Sequence, residues 1–265
     1  MANLLVKPKG GHGHVTQVTP ESAGWTYVGF DVHRLKPGET VSAETGGREV
    51  CLVWISGKGH ASAGGDDFGS IGERMSPFDG PPHALYVPAG SHWSVTAETD
   101  LDLAVCSAPG GGDYPARLIP PGTHEPVMRG KGSNLRHVTN IMPEDDGSAH
   151  SLLVVEVITP NGNTSSYPSH KHDQDNLPHE SRLEETYYHR LNPPQGFAFQ
   201  RVYTDDRTLD EAIAVEDGDV VLVPRGYHPC ATIHGYDLYY LNVMAGPKRI
   251  WKFHNQKEHE WLLGG

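Results

Sequence analysis

The sequence predicts an all-β protein built as two jelly-roll β-barrels in tandem, and three observations carry that reading. Thirty-one glycines and 21 prolines are spread along the 265 residues instead of being gathered in one tail. Apolar runs of about five to eight residues recur roughly every ten positions between Gly, Pro, Asn or Asp, the rhythm of strands joined by tight turns. A motif is also repeated, as Leu85-Tyr-Val-Pro88-Ala-Gly90-Ser-His92 and Leu222-Val-Pro224-Arg-Gly226-Tyr-His228. Pro88 to Pro224, Gly90 to Gly226 and His92 to His228 are each 136 positions apart, and one shared spacing argues for two copies of one fold.

The remaining elements follow in order. In the first copy, Trp25 to His33 runs into the turn Lys36-Pro37-Gly-Glu39, a strand opens at Glu49, and Leu101 to Cys106 ends at Pro109-Gly110. In the second, Leu152 to Ile158 runs into Thr159-Pro160-Asn-Gly162, a strand opens at Glu185, and Leu238 to Met244 ends at Gly246-Pro247. Glu49 and Glu185 share the offset of 136, whereas Pro37 and Pro160 are only 123 apart, so the second copy carries 13 extra residues before Glu185. The expected domains are residues 1–120 and 121–265, joined within the Pro- and Gly-rich stretch from Ala116 to Gly132. Helix is expected only at Thr208 to Ala212 and in the tail from Gln256 to Leu263.

Composition limits the function. A net charge of −12 disfavours nucleic acid or an anionic membrane as partner, because both reward a basic face. Cys51, Cys106 and Cys230 are an odd, widely spaced set that reads as reduced small hydrophobes. No apolar run approaches the roughly 18 residues a bilayer span needs, and no signal-peptide core precedes the first strand, so a cytoplasmic location is expected. A homodimer is a further expectation, since strand edges and a barrel without a site are available for pairing.

Histidine is abundant, with 17 in the chain, and His170, His172, His179 and His189 fall close together. His170 and His172 are two apart in a segment that should be extended, so their imidazoles leave one face. Glu185 opens the next strand and His228 follows the Pro-Arg-Gly turn. A lone His-x-His is common by chance, but His-x-His, then Glu, then Pro-x-Gly-x-His is an ordered set. Three imidazoles and one carboxylate suit one divalent ion, with zinc, manganese and iron(II) all compatible. Where the second copy has His170-Lys-His172, the first has Ser42-Ala-Glu44, although it keeps Glu49 and His92. The first barrel is therefore expected to be a degenerate copy without metal.

Alternation puts only one of Glu184 and Glu185 on the inner face, and the offset of 136 from Glu49 selects Glu185, which leaves Glu184 to solvent or to a supporting position. Tyr187 and His189 share the parity of Glu185 and are the catalytic candidates for proton transfer. The polar stretch from Asp173 to Arg182, rooted between two ligands, is placed to act as a lid. Arg182, Lys171 and Arg225 lie nearest the ligands in sequence and are the candidates for binding an anionic substrate group.

The run from Ser169-His-Lys-His through Asp-Gln-Asp-Asn-Leu-Pro-His-Glu-Ser-Arg-Leu-Glu-Glu-Thr-Tyr-Tyr-His-Arg-Leu-Asn-Pro-Pro-Gln-Gly196, with Val223-Pro-Arg-Gly-Tyr-His-Pro229 and Gly24-Trp-Thr-Tyr-Val-Gly-Phe30, resembles the 5-deoxy-glucuronate isomerase family of bacterial myo-inositol catabolism. It is similar also to the related 4-deoxy-L-threo-5-hexosulose-uronate ketol-isomerases. The likeness spans nearly the whole chain. It implies a bicupin fold, a divalent metal, and an aldose–ketose isomerisation of 5-deoxy-D-glucuronate, a sugar acid, to 5-dehydro-2-deoxy-D-gluconate. Two other functions fit the ligand pattern: a cupin dioxygenase of the quercetinase or pirin type, marked by oxygen consumption, and a non-catalytic sugar-binding cupin.

Overall fold

In the computed structural model, which describes residues 3–264, the chain is almost entirely β and divides into two compact units. One comprises residues 8–125 and 140–154, the other 1–7, 126–139 and 155–265. The division is less simple than a cut near residue 120. Leu5–Val6 pairs with Val220–Val223 in the second unit, so the start of the chain supplies an edge strand to the far repeat. Residues 140–154 return to the first unit, where the Glu49 carboxylate takes hold of them.

In the first unit a six-stranded sheet is ordered Arg117–Ile119, Ala84–Val87, Arg48–Ser56, Leu101–Pro109, Gly29–Leu35, Gly13–Val18. A four-stranded sheet is ordered Thr40–Glu44, His92–Ala97, Gly59–Ala63, Asp66–Ile71. Val50, Leu52, Trp54, Leu85, Val87 and Val105 belong to one buried apolar cluster with Trp93 and Val95 of the smaller sheet. Strict alternation along Arg48–Ser56 thus turns even-numbered residues inward and leaves Glu49 on the opposite face.

The second unit repeats the plan. Its larger sheet is ordered Leu5–Val6, Val220–Val223, Glu184–Asn192, Asp237–Ala245, Leu153–Thr159, Arg136–Met142, Val127–Arg129. Its smaller sheet is ordered Thr164–Ser165, Cys230–Thr232, Ala198–Tyr203, Asp210–Val215. The helix expected from Thr208 to Ala212 is absent, because Asp210–Val215 pairs along its whole length with Ala198–Tyr203 and those cross-strand bonds override local propensity. The tail does wind, as the 3₁₀ helix Lys257–Gly264. The three cysteines are buried and unbridged. Among the described residues no helix is long and apolar enough to cross a membrane.

Strand register corrects the equivalence of Glu49 with Glu185. Val50 stands opposite Val87, whereas Glu185 stands opposite Val223, and Val87 and Val223 hold the same place in the repeated motif. The residue of the first unit that occupies the position of Glu185 is therefore the apolar Val50. A one-residue difference in register reverses the face a side chain takes. Glu49 instead accepts hydrogen bonds from the Tyr86 hydroxyl (2.9 Å) and from the backbone N–H groups of His150 (2.9 Å), Ser151 (2.6 Å) and Leu152 (2.7 Å). His92 is exposed, and the neighbouring Trp93 fills the interior. Glu49→Gln, which keeps the volume but turns an amide NH₂ toward backbone donors, should cost about 2 kcal/mol of stability in urea unfolding, the worth of one or two charge-assisted bonds. An unchanged midpoint would mean that the carboxylate does not hold residues 150–152.

Candidate metal centre

Three of the four expected ligands converge. One ligand atom from each of His172, Glu185 and His228 lies within 4.8 Å of the others, and all three residues are buried. The His172 Nε2 is 3.0 Å from a Glu185 oxygen, and the His228 Nε2 is 3.2 Å from the same oxygen. Each residue is delivered by a different piece of backbone. Glu185 is second in its strand and directed inward by pairing with Val223 and Met244. His172 is held where Leu183 N–H donates to its own carbonyl (2.9 Å). His228 follows a turn that only glycine can make: Gly226 has φ +89, and a Cβ there would collide with the Tyr203 carbonyl oxygen.

The outer ring nitrogens settle which atoms face the centre. His172 Nδ1–H donates to the Leu183 carbonyl (3.2 Å) and His228 Nδ1–H to the Gly226 carbonyl (2.9 Å). A carbonyl only accepts, so Nδ1 carries the proton and in a neutral ring Nε2 presents a lone pair. Burial, helped by the neighbouring His170 and His172 and opposed by Glu185, pushes the His228 pKa down to about 3, so its ring is neutral. Burial also opposes charge on His172, but the Glu185 carboxylate against it outweighs that and raises its pKa. The neutral His228 ring presents its Nε2 lone pair to the buried Glu185 oxygen at 3.2 Å with no hydrogen-bond partner there, an arrangement that is repulsive unless a cation lies between them. The donor set thus fits a divalent ion on its own chemistry, with imidazole and carboxylate the ligands that zinc, manganese and iron(II) accept. Carbonyl-anchored Nδ1–H groups are the usual way such ligands are oriented.

His170 stands beside this group, not inside it. Its ring centroid is 4.9 Å from that of His228 and 6.4 Å from that of His172, and it packs on Phe253 at 4.8 Å. Burial pushes its pKa down to about 3, with His172, Arg136 and Arg129 adding to the effect and a hydrogen bond to the Pro168 carbonyl opposing it. It lines a cavity of about 370 Å³ together with Glu185, Tyr187, Tyr240, Asn242, Trp251, Phe253, Arg129 and Arg136.

The two candidates for proton transfer part company. Tyr187 reaches the cavity, where its hydroxyl meets Ser166 Oγ at 2.9 Å and its ring packs edge-on to His228 at 5.7 Å. Burial, with Glu185 nearby, drives its pKa well above that of a free phenol, so at neutral pH it is a hydroxyl. His189 shares the inward parity but lies outside the cavity wall, donating from Nε2–H to the Gln200 amide oxygen (2.9 Å). Gln200 in turn donates to the His228 carbonyl (3.4 Å), which makes His189 part of the support beneath the centre.

None of the three expected substrate-binding cations lines the cavity. Lys171 points away from His170 and His172 and is tied to Asp205 (2.8 Å) and Asp173 (3.5 Å). Burial works against its charge, and these carboxylates overcome that and raise its pKa. Arg225 is exposed beside Thr208. Arg182 is exposed at the end of a hairpin formed by Asp173–Asn176 and Glu180–Arg182. That hairpin is fastened down, not poised as a lid: Glu180 accepts from Asp173 N–H and Gln174 N–H, Ser181 N–H donates to the Lys252 carbonyl, and Asp173 accepts from Gly226 N–H. Glu184, expected at solvent or in a supporting position, is buried. The cations among the described residues that line the cavity are Arg129 and Arg136, which lie 43 and 36 positions before His172 and carry no local motif.

Residues 4–262 match the KduI/IolB family. The chain belongs to that family. A Geobacillus kaustophilus protein named 5-deoxy-glucuronate isomerase is 58% identical over 252 residues, 95% of this chain and 91% of the relative. A protein of the same name from Bacillus licheniformis is 49% identical over 99% of both chains. Among solved structures, an IolB-like protein from Salmonella typhimurium superimposes with a TM-score of 0.97 at 54% identity, covering 99% of this chain and all of the other. Bacillus subtilis oxalate decarboxylase, a bicupin, aligns with a TM-score of 0.67 over 96% of this chain and 80% of its own; at 14% identity that likeness speaks for the bicupin fold alone.

Proposed function

We propose that this KduI/IolB family member is a metal-dependent aldose–ketose isomerase that converts 5-deoxy-D-glucuronate to 5-dehydro-2-deoxy-D-gluconate. The observation that carries the metal dependence is the pair of anchored histidines directed at the buried Glu185 oxygen, 3.0 and 3.2 Å away. His172, Glu185 and His228 would hold the ion, and His170, outside that group but with its ring 4.9 Å from that of His228, is the candidate for a fourth position. The substrate is taken from the relatives' shared name, and the cavity of about 370 Å³ is of a size for a six-carbon acid.

Moving a carbonyl from C1 to C2 requires loss of the C2 proton, passage through an enediolate, and return of a proton to C1. A divalent ion, when bound, supplies polarisation of the carbonyl and a counter-charge for the oxygens without any redox change. The chain's own groups do the rest. Tyr187, a neutral hydroxyl already bonded to Ser166, is placed to donate to a substrate oxygen that gains charge. The apolar walls from Val155, Val157 and Phe253 keep water from a reactive enediolate.

The purified protein should convert 5-deoxy-D-glucuronate to a ketose seen by NMR, lose turnover on chelation, and recover it when zinc, manganese or iron(II) is returned. Oxygen uptake in place of a ketose product would make it a dioxygenase instead.

A further inference from the structure

The second unit places two arginines, Arg129 and Arg136, in the cavity wall. Arg129 ends the edge strand Val127–Arg129, and Arg136 opens the strand beside it, so cross-strand pairing sets them directly opposite each other. Arg136 donates to the Asn134 carbonyl (3.1 Å), and Arg129 lies over the Trp251 ring at 5.8 Å. Among the described residues neither guanidinium has a carboxylate within ion-pair distance. Among the described residues the only carboxylate in the cavity wall, Glu185, is engaged with His172 and His228.

Two like charges held side by side and partly out of water repel each other and lose hydration. Burial, opposed by Tyr240 and reinforced by Arg129, lowers the Arg136 pKa. The loop that joins the pair is shaped around this: Gly130 takes φ +80, and a Cβ there would meet the Asn134 carbonyl oxygen and press on Arg136 (2.8 Å). The same two arginines also line a second cavity of about 700 Å³ with Lys131, so positive charge is gathered here in a protein whose net charge is −12.

We propose that Arg129 and Arg136 form the carboxylate subsite, gripping the acid group of a sugar acid whose carbonyl end faces His172, Glu185 and His228. This rests on the isomerase reading above for the identity of the substrate, though not for the existence of an anion site. Guanidinium groups match a carboxylate in shape and can each offer it two N–H donors, so one anion relieves both charges. The subsite selects for uronates: the neutral analogue 5-deoxy-D-glucose carries the same carbonyl end and an alcohol where the acid should be.

The test uses the metal-loaded full-length protein as wild type, Arg129→Gln, Arg136→Gln and the double variant. For 5-deoxy-D-glucuronate, kcat/KM should fall about 10- to 100-fold per arginine, the scale of a charge-assisted contact, while kcat/KM for 5-deoxy-D-glucose changes by less than about threefold. Equal losses on both substrates, or an undiminished preference for the uronate in the double variant, would overturn the proposal. Calorimetric titration with D-gluconate, which cannot be isomerised, gives a reading free of turnover. Gluconate should bind wild type and be weakened about tenfold or more in Arg129→Gln, with D-glucitol indifferent to the change; binding insensitive to both arginines would put the anion elsewhere. Arginine-dependent binding of gluconate in a protein that fails to isomerise the uronate would keep the subsite and remove the isomerase assignment.

Discussion

Glu185→Gln should leave a folded protein that neither retains a divalent ion nor turns over substrate. The substitution preserves volume inside a buried strand and removes the single negative charge among the three converging side chains. Metal content after dialysis should drop from about one equivalent to near none, and activity by more than the roughly 10- to 100-fold that loss of a supporting residue costs a metal site. The fold should tolerate the change for a specific reason. The glutamine NH₂ can donate to His228 Nε2, whose lone pair the carboxylate could only oppose, and the amide oxygen can still accept from a protonated His172. Stabilisation by added metal should then separate the two proteins. Wild type should gain about 2.7 kcal/mol at a free ion concentration of roughly 100 Kd, and the variant nothing. A Glu185→Gln protein that keeps its ion and its turnover would remove this carboxylate from the centre.

That the centre could be read from the sequence at all follows from how it is assembled. His172, Glu185 and His228 come from segments that carry their own signals: a two-residue repeat on extended backbone, the start of an apolar strand, and a turn that requires Gly226. Arg129 and Arg136 have no such signal, because what makes them a pair is registration of two edge strands, and what brings them to the cavity is long-range sheet order. Lys171 is close to the ligands along the chain, but in an extended segment the immediate neighbour of an inward residue faces outward, and Arg225 lies in the exposed turn three residues before His228. Glu49 shows the opposite error. A shared offset of 136 made it the counterpart of Glu185, yet the pairing of Val50 with Val87 is displaced by one residue and reverses its face. The motif spacing measures sequence; only hydrogen-bond register decides which side of the sheet a carboxylate takes. The same limit applies to Thr208 to Ala212, where a short polar stretch became strand through its pairing with Ala198–Tyr203.

His189 should make the protein labile to mild acid even where the metal centre is not the weak point. It is fully buried, donates one proton to Gln200, and leaves Nδ1 without a partner. Burial holds its pKa down to about 4, and the Gln200 hydrogen bond opposes that only in part. In the unfolded chain the same imidazole titrates near 6.5. Between those values the unfolded state binds the extra proton and the folded state does not, so the stability that burying a neutral ring confers is complete above about pH 6.5 and is lost as the pH falls toward 4. The window spans roughly two and a half pH units at about 1.4 kcal/mol each, or on the order of 3 kcal/mol. Urea unfolding of wild type at pH 7.5 and pH 4.5 should differ accordingly. His189→Gln, which keeps a polar group facing Gln200 but cannot titrate, should lose some stability at pH 7.5 and show a fall on acidification smaller by about that amount, the rest belonging to His170 and His228, which burial also holds down, to about 3. Gln200 ties this ring to the His228 backbone through its own amide, so protonation of His189 disturbs the strand end that presents His228. Metal retention measured against pH should therefore weaken at a higher pH in wild type than in His189→Gln. Identical acid profiles for the two proteins, in both stability and metal retention, would show that this buried histidine is not what couples the core to pH.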